Sequence, residues 1–243
     1  MNLNSIANNA NDNDIFILMP GKYEASLNVQ NKITLIGLDK ENTIIYNNSG
    51  EYDRQPAFLR NGTYKNITFY AEKSSDTENN GSYATHIDNM ATNNKINFEN
   101  CNFVSDFNCS VGIGTCSNSF INFIRCNFIY QGSNKDLAPL YFHTAEPSIS
   151  RGDNQHLYFE DCNCINKTGE AAIRVYDRAY TNENLYITFK KCCLYNKQES
   201  LNVIKTAIFG NWETIPSGEG WLNLKTVFLK KDSFGNNVKE LNA

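Results

Sequence analysis

The chain has 243 residues, 41% hydrophobic and 20% charged, with a formal net charge of −4. That length suits one folded domain spanning 1–243, and so mild a charge argues against general affinity for nucleic acid. No apolar run reaches the length of a membrane-spanning helix, so no membrane partner is expected.

Residues 1–14 are rich in Asn, and Leu3, Ile6, Ala7 and Ala10 have helical spacing. A short N-terminal helix is predicted there, capping an end that would otherwise expose a pairing edge. Met1-Asn2-Leu3-Asn4 lacks a basic segment followed by an apolar core, so no signal peptide and folding in the cytoplasm are expected. Ile15-Phe16-Ile17-Leu18-Met19 reads as a strand, and Pro20-Gly21 as a turn.

From there one phrase recurs, apolar–x–aromatic–x–x–Cys–x–apolar. Ile96-Asn97-Phe98-Glu99-Asn100-Cys101-Asn102-Phe103 is one copy, and Ile121 to Phe128, Leu157 to Cys164 and Ile187 to Leu194 are others. Weaker copies precede at Ile33-Thr34-Leu35 and Ile67-Thr68-Phe69, and follow at Leu222-Asn223-Leu224 with Val227 and Leu229. Seven copies 25 to 36 residues apart indicate a solenoid. Within each copy the apolar period is two, which makes the unit a strand, a sharp bend and a second strand. The 38 Asn residues suit such bends, because Asn tolerates left-handed backbone angles.

The predicted fold is all-β, a right-handed parallel β-helix of about seven coils stacked at roughly 4.8 Å. Two inward columns are expected to fill its core. One runs Leu35, Phe69, Phe98, Phe123, Phe159, Phe189, Leu224, and the other runs Ile33, Ile67, Ile96, Ile121, Leu157, Ile187, Leu222. Residues 72–82, 144–156 and 211–220 read as loops leaving the core, and 230–243 as a C-terminal cap or tail. Of eight cysteines, Cys101, Cys126, Cys162 and Cys192 share one inward slot. They are expected to be free, buried thiols, since parallel side chains suit a disulfide poorly. Their spacing is not that of zinc ligands, so neither metal nor cofactor is expected.

A second set of strands precedes the Cys phrases: Leu59-Arg60, Thr85-His86, Ile113-Gly114, Phe142-His143, Ile173-Arg174 and Ile204-Lys205. Aligned in that way, Arg60, His86, Gly114, His143, Arg174 and Lys205 project from one outer face, with Asp88 beside His86 and Asp177 near Arg174. Gly114 would leave a notch between His86 and His143. Arg pairs carboxylates in a bidentate way and His can act as acid or base, so the face is expected to be a basic groove for an anionic glycan. The catalytic candidates are His86, His143, Asp88 and Arg174. Arg60, Gly114, Asp177 and Lys205 are candidate binding residues, and Tyr141, Tyr176 and Trp212 could stack on sugar rings. A hydrolase would need two carboxylates, for which Asp88 with Asp177 or Glu170 are available. His156 is expected to be a surface residue.

Pro20-Gly21-Lys22-Tyr23-Glu24, Ile33-Thr34-Leu35-Ile36-Gly37, Thr43-Ile44-Ile45 and Lys65-Asn66-Ile67-Thr68-Phe69 resemble the opening of pectin lyase-like right-handed parallel β-helices, nearest to the pectin methylesterase branch. The likeness covers roughly residues 3–70, and the Phe-x-x-Cys phrases extend it loosely to about 195. It implies the fold and a polysaccharide partner. That branch carries its carboxylates in Gln-Asp-Thr-Leu and Asp-Phe-(Ile/Val)-Phe-Gly segments. Gln131-Gly132-Ser133 and Thr168-Gly169-Glu170-Ala171 match neither, so no esterase residue carries over. Tyr83 to Asp88, Val111 to Gly114 and Leu140 to His143 resemble segments of uncharacterised β-helix proteins of bacteria and phage tails. The expected function is binding of an acidic polysaccharide, with lyase, glycoside hydrolase and carbohydrate esterase activities all open. The alternative is a non-catalytic module of a phage tail or surface adhesin, virion-associated in the first case and compatible with a homotrimer.

Overall fold

The structure, a computed structural model, describes residues 3–73, 81–87, 93–114, 118–143, 155–168, 172–176, 185–196 and 226–229. It is an all-β arrangement of long parallel sheets, consistent with a β-solenoid. Each circuit of the chain gives one strand to each of three stacks. The first stack holds Ile15–Leu18, Thr34–Gly37, Gly62–Lys65, Lys95–Glu99, Phe120–Ile124, Gln155–Glu160 and the start of Leu185–Asn196, with Thr226–Leu229 added after it. The second holds Gly21–Glu24, Thr43–Asn47, Thr68–Ala71, Asn102–Ser105, Asn127–Tyr130, Asn163–Asn166 and the end of Leu185–Asn196. The third holds Leu27–Val29, Ala57–Leu59, Thr85–Ile87, Val111–Ile113, Leu140–His143 and Ile173–Tyr176.

Side chains alternate across each strand, so every second residue enters the core and meets its equivalent one circuit away. Phe98, Phe123, Phe159 and Phe189 form one inward stack, with ring centroids 4.8, 4.8 and 4.6 Å apart. Phe69, Phe103 and Phe128 form a second from the adjoining sheet, at 5.5 and 5.2 Å. The two stacks meet edge to face, Phe98 on Phe103 at 5.1 Å and Phe123 on Phe128 at 5.1 Å, a favourable arrangement for ring quadrupoles. Cys101, Cys126, Cys162 and Cys192 line the bend between the stacks as buried free thiols. Each Sγ donates to a main-chain carbonyl, Cys162 to Phe123 O at 3.3 Å for example. Burial pushes the Cys126 and Cys164 thiols above the usual range.

The predicted core columns need two corrections. Tyr64, not Phe69, pairs with Phe98, and Gly62, not Ile67, pairs with Ile96. Phe69 pairs with Phe103, which places Ile67 in the slot of Cys101. Ile67-Thr68-Phe69 is the second half of a phrase whose first half is Gly62-Thr63-Tyr64. The glycine hides that half, and it is required: Gly62 has φ +117°, and a Cβ there would lie 2.3 Å from Ile33 O. At the other end Val227 pairs with Phe189 and Leu229 with Cys192, where Leu224 was expected opposite Phe189. Leu222 and Leu224 lie outside the described residues.

From the third circuit on, the bend between the first two sheets carries one left-handed residue in each: Asn66, Asn100, Arg125, Asp161 and Lys191, with φ from 52° to 54°. Asn is thus common at this corner without being obligatory. It has a second use along the axis. Asn127 Nδ2 donates to Asn102 Oδ1 and Asn163 Nδ2 to Asn127 Oδ1, both at 2.8 Å, so amides chain from strand to strand. The predicted cap is a helix over Leu3–Asn8, with Leu3, Ala7 and Ala10 buried. Asn4 Oδ1 accepts from Ser26 N at 2.8 Å, which fixes the helix beside strand Leu27–Val29. Residues 230–243 lie outside the described residues.

Candidate functional site

The third sheet carries the residues that the sequence singles out. Its strands are three or four residues long, and their inward residues Leu27, Ala57, Thr85, Val111 and Leu140 are buried. Register fixes what stands beside what. Phe58 pairs with His86, His86 with Gly112, Gly112 with Tyr141, and Tyr141 with Arg174. His143 pairs with Tyr176 in the next outward row.

The expected single column of Arg60, His86, Gly114, His143 and Arg174 is therefore two. His86, Tyr141 and Arg174 belong to one row, while Arg60, Gly114, His143 and Tyr176 sit two residues further along their strands. His86 and His143 are two strands and two residues apart, about 12 Å between backbone positions. Asp88, Glu170, Asp177, Lys205 and Trp212 lie outside the described residues.

His86 is a packed residue and not part of an open groove. It is 1% exposed. The Tyr83 ring stacks on it at 4.8 Å, and Phe58 meets it edge-on at 5.4 Å. The Gln55 side-chain amide lies 3.4 Å from Nδ1. Room for this stack comes from Gly112, where a Cβ would sit 2.8 Å from Tyr83 and 3.0 Å from His86. The glycine in the His86 row is thus Gly112, and the space that it leaves is filled by rings. Gly114 is buried, donating to Ile87 O at 2.8 Å and accepting from Gln155 Nε2 at 2.9 Å, so it forms no notch. Arg60 is half-buried, donates to Gln30 Oε1 at 2.7 Å and lies 5.9 Å from the Phe58 ring. Tyr141 is half-buried on the outward face. His156 is also half-buried and stacks on Phe120 at 4.8 Å, and burial holds its imidazole below the usual range.

One constellation on the first sheet escaped the sequence reading. Glu99, Ile124 and Glu160 pair in one outward column, which sets the backbone positions of two acidic residues about 9.6 Å apart. That separation is near the upper end for an inverting glycosidase. The electrostatics oppose the role. Hydrogen bonding from Lys65 holds Glu99 below the usual carboxylate range, and hydrogen bonding from Lys190 does the same for Glu160. Neither can be the protonated acid that the reaction needs at neutral pH.

A cleft of about 590 Å³ lies at the first circuit between Leu3, Tyr23, Ser26 and Arg54, and none of the predicted site residues that the structure describes lines it. Its cations have partners: Lys22 binds Glu72 at 2.7 Å and Arg54 approaches Glu51 at 3.5 Å. Among the described residues no group of three His, Cys, Asp or Glu side chains could hold a metal ion. Among them, too, no helix is long and apolar enough to cross a membrane. No family model, curated protein or solved structure matches the chain.

Proposed function

We propose that the chain is a right-handed parallel β-helix of the pectin lyase-like type, with about seven coils, that binds an acidic polysaccharide on the outward face of its third sheet. The observation that carries this reading is the register of Tyr141 with Arg174 and of His143 with Tyr176. Two aromatic residues and two cationic or titratable ones thereby occupy adjacent positions on one sheet face. Arg suits a uronate carboxylate, and a tyrosine ring suits the C–H face of a sugar. Adjacent strands are about 4.8 Å apart, of the order of one sugar residue along a chain.

Binding is favoured over cleavage. His86, the first candidate base, lies beneath Tyr83 and cannot reach a bound polymer from there. A non-catalytic module of a phage tail or surface adhesin is therefore the form of the proposal.

Affinity electrophoresis against polygalacturonate, alginate and neutral dextran tests it. Retardation by the two uronate polymers is expected, and Arg174→Ala or Tyr141→Ala should each weaken it at least about tenfold. Equal retardation by dextran, or unchanged retardation of both variants, would sink the reading. Accumulation of unsaturated or shortened uronate ends would replace it with a catalytic one.

A further inference from the structure

We infer, resting on the third-sheet site just proposed, that Arg60 is a second carboxylate-binding point for the same polysaccharide, so that the face selects uronate chains of about five residues or more.

Arg60 differs from the other arginines whose side chains the structure describes. Arg125 is bonded to Glu99, and Arg54 approaches Glu51 at 3.5 Å. Arg60 pairs with no carboxylate among the described residues. Its Nη1 donates to Gln30 Oε1 at 2.7 Å, its Nε is buried without an acceptor, and its Nη2 donates to no described residue. A guanidinium cannot be deprotonated in a protein, so partial burial leaves a positive charge that the chain does not compensate. A carboxylate at the Nη2 end offsets that charge, in the planar geometry for which arginine is suited.

The group is also held ready. Gln30 stands beside Arg60 in the ladder, where Arg60 N donates to Val29 O at 3.2 Å. Gln30 is fixed in turn, since its Nε2 donates to Asn28 Oδ1 at 2.9 Å. On its other side the guanidinium lies 5.9 Å from the Phe58 ring. A side chain restrained in this way loses less freedom on binding than a solvated arginine does.

Register then sets the length of the ligand. Arg60 and Arg174 are four strands and two residues apart, about 20 Å between backbone positions. At one sugar per strand step of about 4.8 Å, a chain with a carboxylate on Arg174 brings about its fifth sugar to Arg60. A trimer reaches one arginine and not both. Between them the Phe58 row holds His86 under the Tyr83 ring, Gly112 and Tyr141. No carboxylate stands in that row to repel the polymer.

Isothermal titration calorimetry of the full chain with tri- and pentagalacturonate tests this. Affinity should rise at least about tenfold from trimer to pentamer, a step of the size that a charge-assisted contact provides. Arg60→Met keeps an apolar stem beside Phe58, and should bind the pentamer no better than the trimer while its trimer affinity stays that of the wild type. The unchanged trimer affinity also reports a folded variant. Equal affinity of the wild type for the two oligomers, or a step that survives in Arg60→Met, overturns the inference and leaves the third-sheet site standing. Loss of trimer binding in Arg60→Met overturns it too, because the arginine then supports the sheet and not the far end of the ligand. A wild-type chain that binds neither the oligomers nor polygalacturonate removes the third-sheet site and this inference with it.

Discussion

The residue that most directly tests the fold is Lys191. It stands at the left-handed corner with φ 54°, in the position held elsewhere by Asn66, Asn100, Arg125 and Asp161. A left-handed conformation costs an ordinary L-residue roughly 1–2 kcal/mol, and Asn or Asp less, because their short side chains bond locally. Lys has no such compensation, and Lys191 is exposed. Lys191→Gly should therefore stabilise the chain by about 0.5–1 kcal/mol, once the greater chain entropy of glycine is set against the relieved strain. Thermal unfolding would show it as a higher midpoint. A lower midpoint would mean that the lysine side chain contributes more than its backbone costs. His86 makes the opposite point at this scale. Its alternation predicts an outward side chain, yet its burial depends on Tyr83, Gln55 and Gly112, which the alternation of its own strand does not report.

At the scale of strands, the amide ladder distinguishes internal rungs from terminal ones. Asn127 donates to Asn102 and accepts from Asn163, so Asn127→Ala breaks two hydrogen bonds where Asn163→Ala breaks one. At about 1 kcal/mol per bond, Asn127→Ala should cost about 2 kcal/mol and Asn163→Ala about 1. Urea denaturation of the two variants measures the difference, and equal costs would show that the amides act separately. The same scale explains what was legible. The Phe-x-x-Cys phrases gave the first two sheets because Phe98, Phe123, Phe159 and Phe189 mark the inward face and the Cys marks the corner, so a slip is visible. The third-sheet strands gave no such mark. Sliding Thr85-His86 by two residues against Val111-Gly112 leaves every inward residue inward, so hydrophobic alternation cannot detect the slip. Hence the alternation could not fix the rows of this face, nor show that His86 is buried.

At the scale of the whole molecule, ion pairs that run along the solenoid axis bear on its response to acid. On the outer face of the first sheet Glu99 is bonded by Lys65 and Arg125, and Glu160 by Lys190. Both carboxyls lie below their ordinary value of 4.5 in the folded chain, chiefly through the hydrogen bonds from Lys65 and Lys190. The unfolded chain thus binds more protons than the folded one in the acid range, and there stability rises with pH. The stabilisation from these groups is complete above about pH 4.5 and is lost as pH falls through their lowered folded values. The pairs are largely solvated, so the effect is modest and screened by salt. In urea titrations the midpoint should be level near neutrality and decline below that point, with a shallower decline in high salt. Lys65→Met should also make the decline shallower, because Glu99 then titrates closer to its unfolded value. An acid decline identical in wild type and Lys65→Met would show that these axial pairs do not set the pH response and that other carboxylates in the chain do.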